Sequence, residues 1–240
     1  MAALSLYGAN TSGGAFGRNP PRRAHTPSMS MVKILVADDH PVVRDGIRQI
    51  LTGVGDMLVV DEVGNGRELL DRARTVEHDL ILLDLSMPEI SGIDVLKQLK
   101  LERPKIPIVI LTMYSENQFA IRALKAGAAA YLTKTSTARE LVDAVRKVVA
   151  GGRYVTPSVA ERLAGYLSAD AEKPPHEKLS DREYQVLRMI AAGKSTRRIA
   201  TELTLSVKTI ATYRARIFEK MQLKSPAELA TYVVRNRLSD

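Results

Sequence analysis

The chain has 240 residues, 45% of them hydrophobic and 26% charged, the balance of a soluble globular protein with room for two domains of ordinary size. Its formal charge is +8 and it has no cysteine, which excludes a disulfide scaffold, a thiolate metal site and thiol chemistry. No stretch approaches the roughly 18 consecutive apolar residues of a membrane span, so no membrane partner is expected.

Residues 1–31 are rich in Gly, Ser, Pro and Arg, carry Arg18, Arg22 and Arg23 without an acid, and lack the apolar segment of a signal peptide. They read as a disordered extension. From 32 to 153 the chain is neutral, with 17 basic and 17 acidic residues, and apolar runs alternate with amphipathic segments. Strands are expected at 33–38, 57–61, 79–84, 107–112 and 129–132, and helices near 41–52, 66–77, 92–101, 116–126 and 137–150. Short, almost wholly apolar strands separated by helices indicate an α/β domain, a five-stranded doubly wound parallel sheet covered on both faces. Gly151-Gly152 stops the last helix.

Residues 154–178 read as a linker with one short helix, from Pro157 to about Leu167, and with Pro174-Pro175 near its end. Only helical patterns follow, at 181–192, 196–203, 207–221 and 226–237, so 179–240 is expected to be a second, all-α domain. Ser180 with Glu183 forms a capping box, Ser206 and Ser225 stand at later helix starts, and Pro226 takes a first helical position. This segment holds 12 basic against 6 acidic residues, which marks it as the part that binds a polyanion.

Four of the expected strands end on a reactive polar group: Asp38-Asp39, Asp84, Thr112 and Lys134. In an open parallel sheet the carboxyl ends of the strands share one edge, so these residues meet in one crevice. Clustered carboxylates repel one another, and a hard cation relieves that repulsion. Mg²⁺ suits such a site because it takes few protein oxygens and keeps water and phosphate oxygens as its other ligands. Asp84, at the end of the central strand, is the expected nucleophile toward a phosphoryl donor, with Lys134 neutralising the charge on the transferred group.

On these residues, together with Met87-Pro88, Ser91-Gly92, Lys125-Ala126-Gly127-Ala128 and Tyr131, residues 32–153 resemble a response-regulator receiver domain of flavodoxin-like fold. The resemblance implies that Asp84 is phosphorylated, that Asp39, Asp84 and the Ser86 carbonyl bind Mg²⁺ with Asp38 acting through water, and that Thr112 and Lys134 hold the phosphoryl group. It implies a switch in which Thr112 moves and the Tyr131 ring turns into the space vacated. Where many receivers have proline after the lysine, this chain has Thr135.

The helix at 196–203, the turn at Thr204-Leu205 and the helix after Ser206 match a helix-turn-helix. Ile199, Leu203, Leu205, Val207, Ile210, Ile217 and Met221 are its expected core. The third helix, roughly 22 Å long, fits a major groove. Leu179-Ser180-Asp181-Arg182-Glu183, Val207-Lys208-Thr209-Ile210 and Lys220-Met221-Gln222-Leu223 resemble the LuxR-type DNA-binding domain, and with the receiver in front the chain resembles a NarL/FixJ-class response regulator. Lys208, Thr209, Tyr213, Arg214 and Arg216 are candidates for phosphate contact, while Ala211, Thr212 and Ala215 fall where related proteins face the groove. Leu229, Tyr232 and Val233 lie on a helix resembling the dimerisation helix of the class.

The resemblance thus implies a cytoplasmic transcription regulator rather than an enzyme, phosphorylated by a sensor histidine kinase, binding double-stranded promoter DNA as a homodimer and able to meet RNA polymerase. Mg²⁺-dependent phosphatases of related chemistry commonly carry an Asp where this chain has Ser86. The resemblance also implies that Ser86, two residues after Asp84, and Tyr114, two after Thr112, tune how long the phosphoryl group survives, a Tyr ring there hindering the hydrolytic water. Self-dephosphorylation is therefore expected to be slower in the parent chain than in Tyr114→Ala, as followed by decay of the phosphorylated mass; equal decay would remove that role.

Overall fold

A computed structural model describes residues 31–168, 174–236 and 238, with the side chains of 117–118 and 165–168 left aside. The expected extension at 1–30 lies outside the described residues.

Five strands, β1 (Val32–Ala37), β2 (Met57–Val63), β3 (Leu80–Leu83), β4 (Ile108–Thr112) and β5 (Ala130–Thr133), form one parallel sheet in the order β2-β1-β3-β4-β5. β3 and β4 are wholly buried, as strands covered on both faces must be. β2 runs two residues past its expected end, through Glu62 and Val63, and pairs with β1 across a register shift between Ile34 and Leu35. An edge strand has one side free, so polar Asp61 and Glu62 do not end it.

Helices α1 (Pro41–Thr52) and α5 (Ala138–Val149) cover one face, packing Ile47, Leu51, Val142 and Val145 onto Ile34, Val36, Leu82 and Val109. On the other face α2 (Gly66–Thr75), α3 (Gly92–Glu102) and α4 (Glu116–Lys125) bring Leu69, Val95, Leu96 and Phe119 against Leu35, Ile81, Leu83 and Ile110. Gly92 starts α3 where a Cβ would meet the Leu85 Cα at 2.5 Å, so its close approach to the chain just after β3 requires glycine.

α6 (Pro157–Ser168) packs on α4, tied by hydrogen bonds from the Thr156 and Ser158 hydroxyls to the Glu116 carboxylate. The region read as a linker with one short helix also holds a 3-10 turn at Pro175–Lys178. The second domain comprises α7 (Asp181–Ala191), α8 (Thr196–Glu202), α9 (Val207–Met221) and α10 (Pro226–Arg235). Ser180 and Glu183 make both hydrogen bonds of the expected capping box, and Ser206 and Ser225 accept from Thr209 N and Glu228 N. Ile199, Leu203, Ile210, Ile217 and Met221 are buried as expected, whereas Val207 is about half exposed and lies outside the core.

His78, in the turn before β3, is buried with the Asp61 carboxylate 4.0 Å away. Burial holds its pKa below the ordinary value, and Asp61 only partly opposes this. The unfolded chain binds a proton near pH ~6.5 that the folded chain refuses, so this part of the stability is present above that pH and is lost as pH falls below it. Urea melts should show His78→Leu losing less stability than the parent between about pH 7 and pH 5. A residual fall is expected from His176, which burial also holds low. Parallel losses in parent and variant would contradict this.

Candidate functional sites: a carboxylate pocket and a basic helix

The register of the sheet builds the pocket. Ala37 lies beside Leu83, so Asp38 and Asp84 leave the sheet next to each other, and Asp84 N donates to Ala37 O at 2.9 Å. Thr112 pairs with Thr133, which puts Lys134 one residue beyond, its N–H donating to Thr112 O at 2.8 Å. Asp38, Asp84 and Thr112 are buried, and the Lys134 ammonium bridges the two acids at 2.6 and 2.7 Å. Burial works against the lysine charge, but the two carboxylates outweigh it and raise its pKa. Ser86 N donates to the other Asp84 oxygen at 3.0 Å, and the Ser86 and Thr112 hydroxyls are 3.4 Å apart.

Asp39 is only partly buried, yet its Oδ1 is a buried atom without a hydrogen-bond partner of ordinary geometry; the His40 Nδ1 lies 2.8 Å from it. Ligand atoms of Asp38, Asp39, His40 and Asp84 lie within 4.8 Å of one another. An under-coordinated carboxylate oxygen beside two others is a donor set that fits a hard cation. His40 was not singled out from sequence; its signal was only its place directly after the two acids.

Tyr131 departs from the expected picture in one respect. Its ring already lies wholly inside, and its hydroxyl donates to Tyr114 O at 2.9 Å. Burial drives this phenol's pKa well above its usual range.

On α9, Lys208, Ala211, Thr212, Ala215 and Arg216 are exposed on one side. Lys208, Thr209, Thr212, Tyr213 and Arg216 border a shallow concavity of about 280 Å³ with Ser206. The Thr212 hydroxyl donates back to Lys208 O at 3.1 Å, which occupies its proton. Tyr213 and Arg214 are partly buried, with the Arg214 guanidinium 5.7 Å from the Phe218 ring centre, and Thr209 is half buried at the helix start.

The expected dimerisation residues are placed differently. Leu229 and Val233 are fully buried between the helices, and the Tyr232 hydroxyl lies 2.8 Å from His176 Nδ1. They complete the small domain's core, because apolar residues four apart on α10 face inward onto α7. The outer face of α10 instead presents Ala230, Thr231 and Val234, the last 67% exposed.

The two domains touch through α7, a contact that sequence reasoning did not anticipate. Asp181 is buried and accepts from Lys97 at 2.6 Å and from Arg122 at 3.0 Å. Arg122 also donates to Leu179 O and His176 O and lies 4.2 Å from the Tyr184 ring centre. Arg182 donates to Glu89 O, and Gln185 donates to the Tyr114 hydroxyl at 2.8 Å. These bonds fall on the inner side of the helical domain and leave the outward face of α9 open.

Two family models match: the response regulator receiver domain over residues 34–146, and the bacterial regulatory proteins of the luxR family over 177–233. The response regulator GacA of Pseudomonas syringae pv. syringae (strain B728a) is 39% identical over 211 residues, 88% of this chain and 99% of that protein. The RcsB response regulator of Salmonella typhimurium superposes with a TM-score of 0.63 at 26% identity, over 88% of this chain and all of that one. RcsB from Salmonella enterica serovar Typhimurium, bound to the promoter rprA in the presence of the phosphomimetic BeF3-, gives 0.59 at 26% identity, over 85% and 98%. Carboxylate pocket, helix-turn-helix and relatives agree: the chain belongs to the two-component response regulators of the NarL/FixJ class, DNA-binding regulators of transcription that join a receiver to a LuxR-type domain.

Proposed function

We propose that this chain is a cytoplasmic phosphorylation switch on promoter DNA, charged at Asp84 by a sensor histidine kinase with Mg²⁺ as cofactor and acting as a dimer. The observation that carries this reading is the lysine-bridged pair Asp38 and Asp84 with the Asp39 carboxylate beside it, ligand atoms of all three lying within 4.8 Å of one another. Asp39, Asp84 and the Ser86 carbonyl would hold the ion, with Asp38 behind a water. Bound there, the cation would offset the negative charge that gathers on the phosphoryl oxygens.

An Asp84 oxygen attacks the phosphorus of a phosphohistidine. The new O–P bond is an acyl phosphate, the N–P bond breaks, and its electron pair stays on the departing imidazole, which takes up a proton. Lys134 meets the equatorial oxygens from one side and Thr112 from the other. The protein is a phosphoryl acceptor and not a turnover enzyme, because its own hydrolysis of the acyl phosphate only resets it. The match to RcsB, solved on promoter DNA, supports duplex DNA as the second partner. Thr212 and the alanines beside it suit thymine methyls and DNA shape, while Arg216 and Lys208 suit phosphates. Pairing of two chains would set two α9 helices on half-sites about one turn apart, and such a regulator has RNA polymerase within reach.

Acetyl phosphate with Mg²⁺ should add one phosphoryl mass to the chain and none to Asp84→Ala; no Asp84-dependent gain ends this reading. On DNA, Arg216→Ala should weaken specific and random duplexes alike and lower the salt slope by about one contact, whereas a Thr212 substitution should change sequence preference. Identical shifts by both variants on both duplexes would refute the division. Lys134→Met should cost about 3 kcal/mol of stability by leaving two buried carboxylates uncompensated, with part of the loss restored by millimolar Mg²⁺. Stability insensitive to the ion in this variant would speak against a cation in the pocket.

A further inference from the structure

The loops that flank the phosphoacceptor are covered by the DNA-binding domain. Arg182 holds the Glu89 carbonyl of the loop after β3, and Glu89 sits in the left-handed region at φ 67°, unusual for a residue with a side chain. Gln185 holds the hydroxyl of Tyr114 in the loop after β4 and is itself fixed by Arg182, whose Nη1 donates to its Oε1 at 2.6 Å. Gln185 and Arg182 are both buried. The Tyr114 backbone N–H lies 3.5 Å from the Thr112 hydroxyl, so the same residue meets the pocket at one end and the second domain at the other. Burial pushes the Tyr114 phenol above its usual pKa, and the hydrogen bond from Gln185 opposes the shift. The ring also packs on Phe119, centres 4.6 Å apart, and Phe119 meets Tyr184 of α7 edge-on at 5.3 Å.

We infer that Gln185, on the DNA-binding domain, is a positioning residue for phosphoryl chemistry in the receiver: it holds the Tyr114 ring across the mouth of the Asp84 pocket. This rests on Asp84 being the phosphoacceptor. While α7 is docked the ring limits the approach of donor and of hydrolytic water. A phosphoryl group that draws Thr112 toward it pulls on the Tyr114 loop and strains the bond to Gln185. Linkage makes the effect reciprocal, so whatever frees Gln185 from Tyr114 also opens the pocket.

The test uses the full chain with acetyl phosphate and Mg²⁺, reading by intact mass the rate of phosphoryl gain and, after donor removal, the rate of loss. Gln185→Met and Tyr114→Phe should each raise both rates about five-fold, the worth of one hydrogen bond. The double variant should be no faster than either single one, since both remove the same bond. A purely structural glutamine would shift the melting temperature and leave phosphoryl loss unchanged. Should Gln185→Met fail to fold, Tyr114→Phe decides alone, because it removes the bond from the receiver side. Rates equal to the parent's, or effects that multiply in the double variant, overturn the inference and leave Asp84 as the acceptor. No phosphoryl gain in the parent overturns the acceptor reading itself.

Discussion

The pocket depends on a single ammonium. Asp38 and Asp84 are placed side by side by hydrogen bonds of the sheet, and neither can move away without breaking the pairing of β1 with β3. Two buried carboxylates at that spacing repel strongly in a medium of low dielectric. Lys134, delivered by the pairing of β5 with β4, contacts both and makes the arrangement tolerable. One ammonium against two carboxylates still leaves the pocket short of positive charge.

The domain contact follows the same physics. Asp181 is withdrawn from water and answered by Lys97 and Arg122, one from α3 and one from α4. Neither arrangement makes its charges a large source of stability, because desolvation takes back most of what the ion pairs return. What they provide is placement: α7 can seat on the receiver only where its acid meets both cations.

Much of the pocket was legible because parallel strands announce themselves as apolar runs and topology sends their ends to one edge. Asp38, Asp84, Thr112 and Lys134 needed no further information. The helix caps at Ser180, Ser206 and Ser225 were legible for a similar reason, since the pattern is local. The seat of α7 was not. Asp181, Arg182 and Gln185 form a polar first turn of the kind that normally faces water, and only the meeting of segments more than 50 residues apart buries them. Leu229 and Val233 illustrate a different limit: an apolar stripe on a short helix looks the same whether a neighbouring helix or a second chain covers it. His40 was hidden by being exposed, since nothing local distinguishes a histidine that borders a pocket from one on any helix start.

The open side of α9 bears on where the protein waits. Lys208 and Arg216 remain in solvent while the receiver is docked, so the electrostatic pull between this helix and a phosphate backbone is not switched off at rest. Contact with a phosphate backbone through this face therefore does not require the two domains to part, and the same side chains are available whether or not α7 is seated on the receiver.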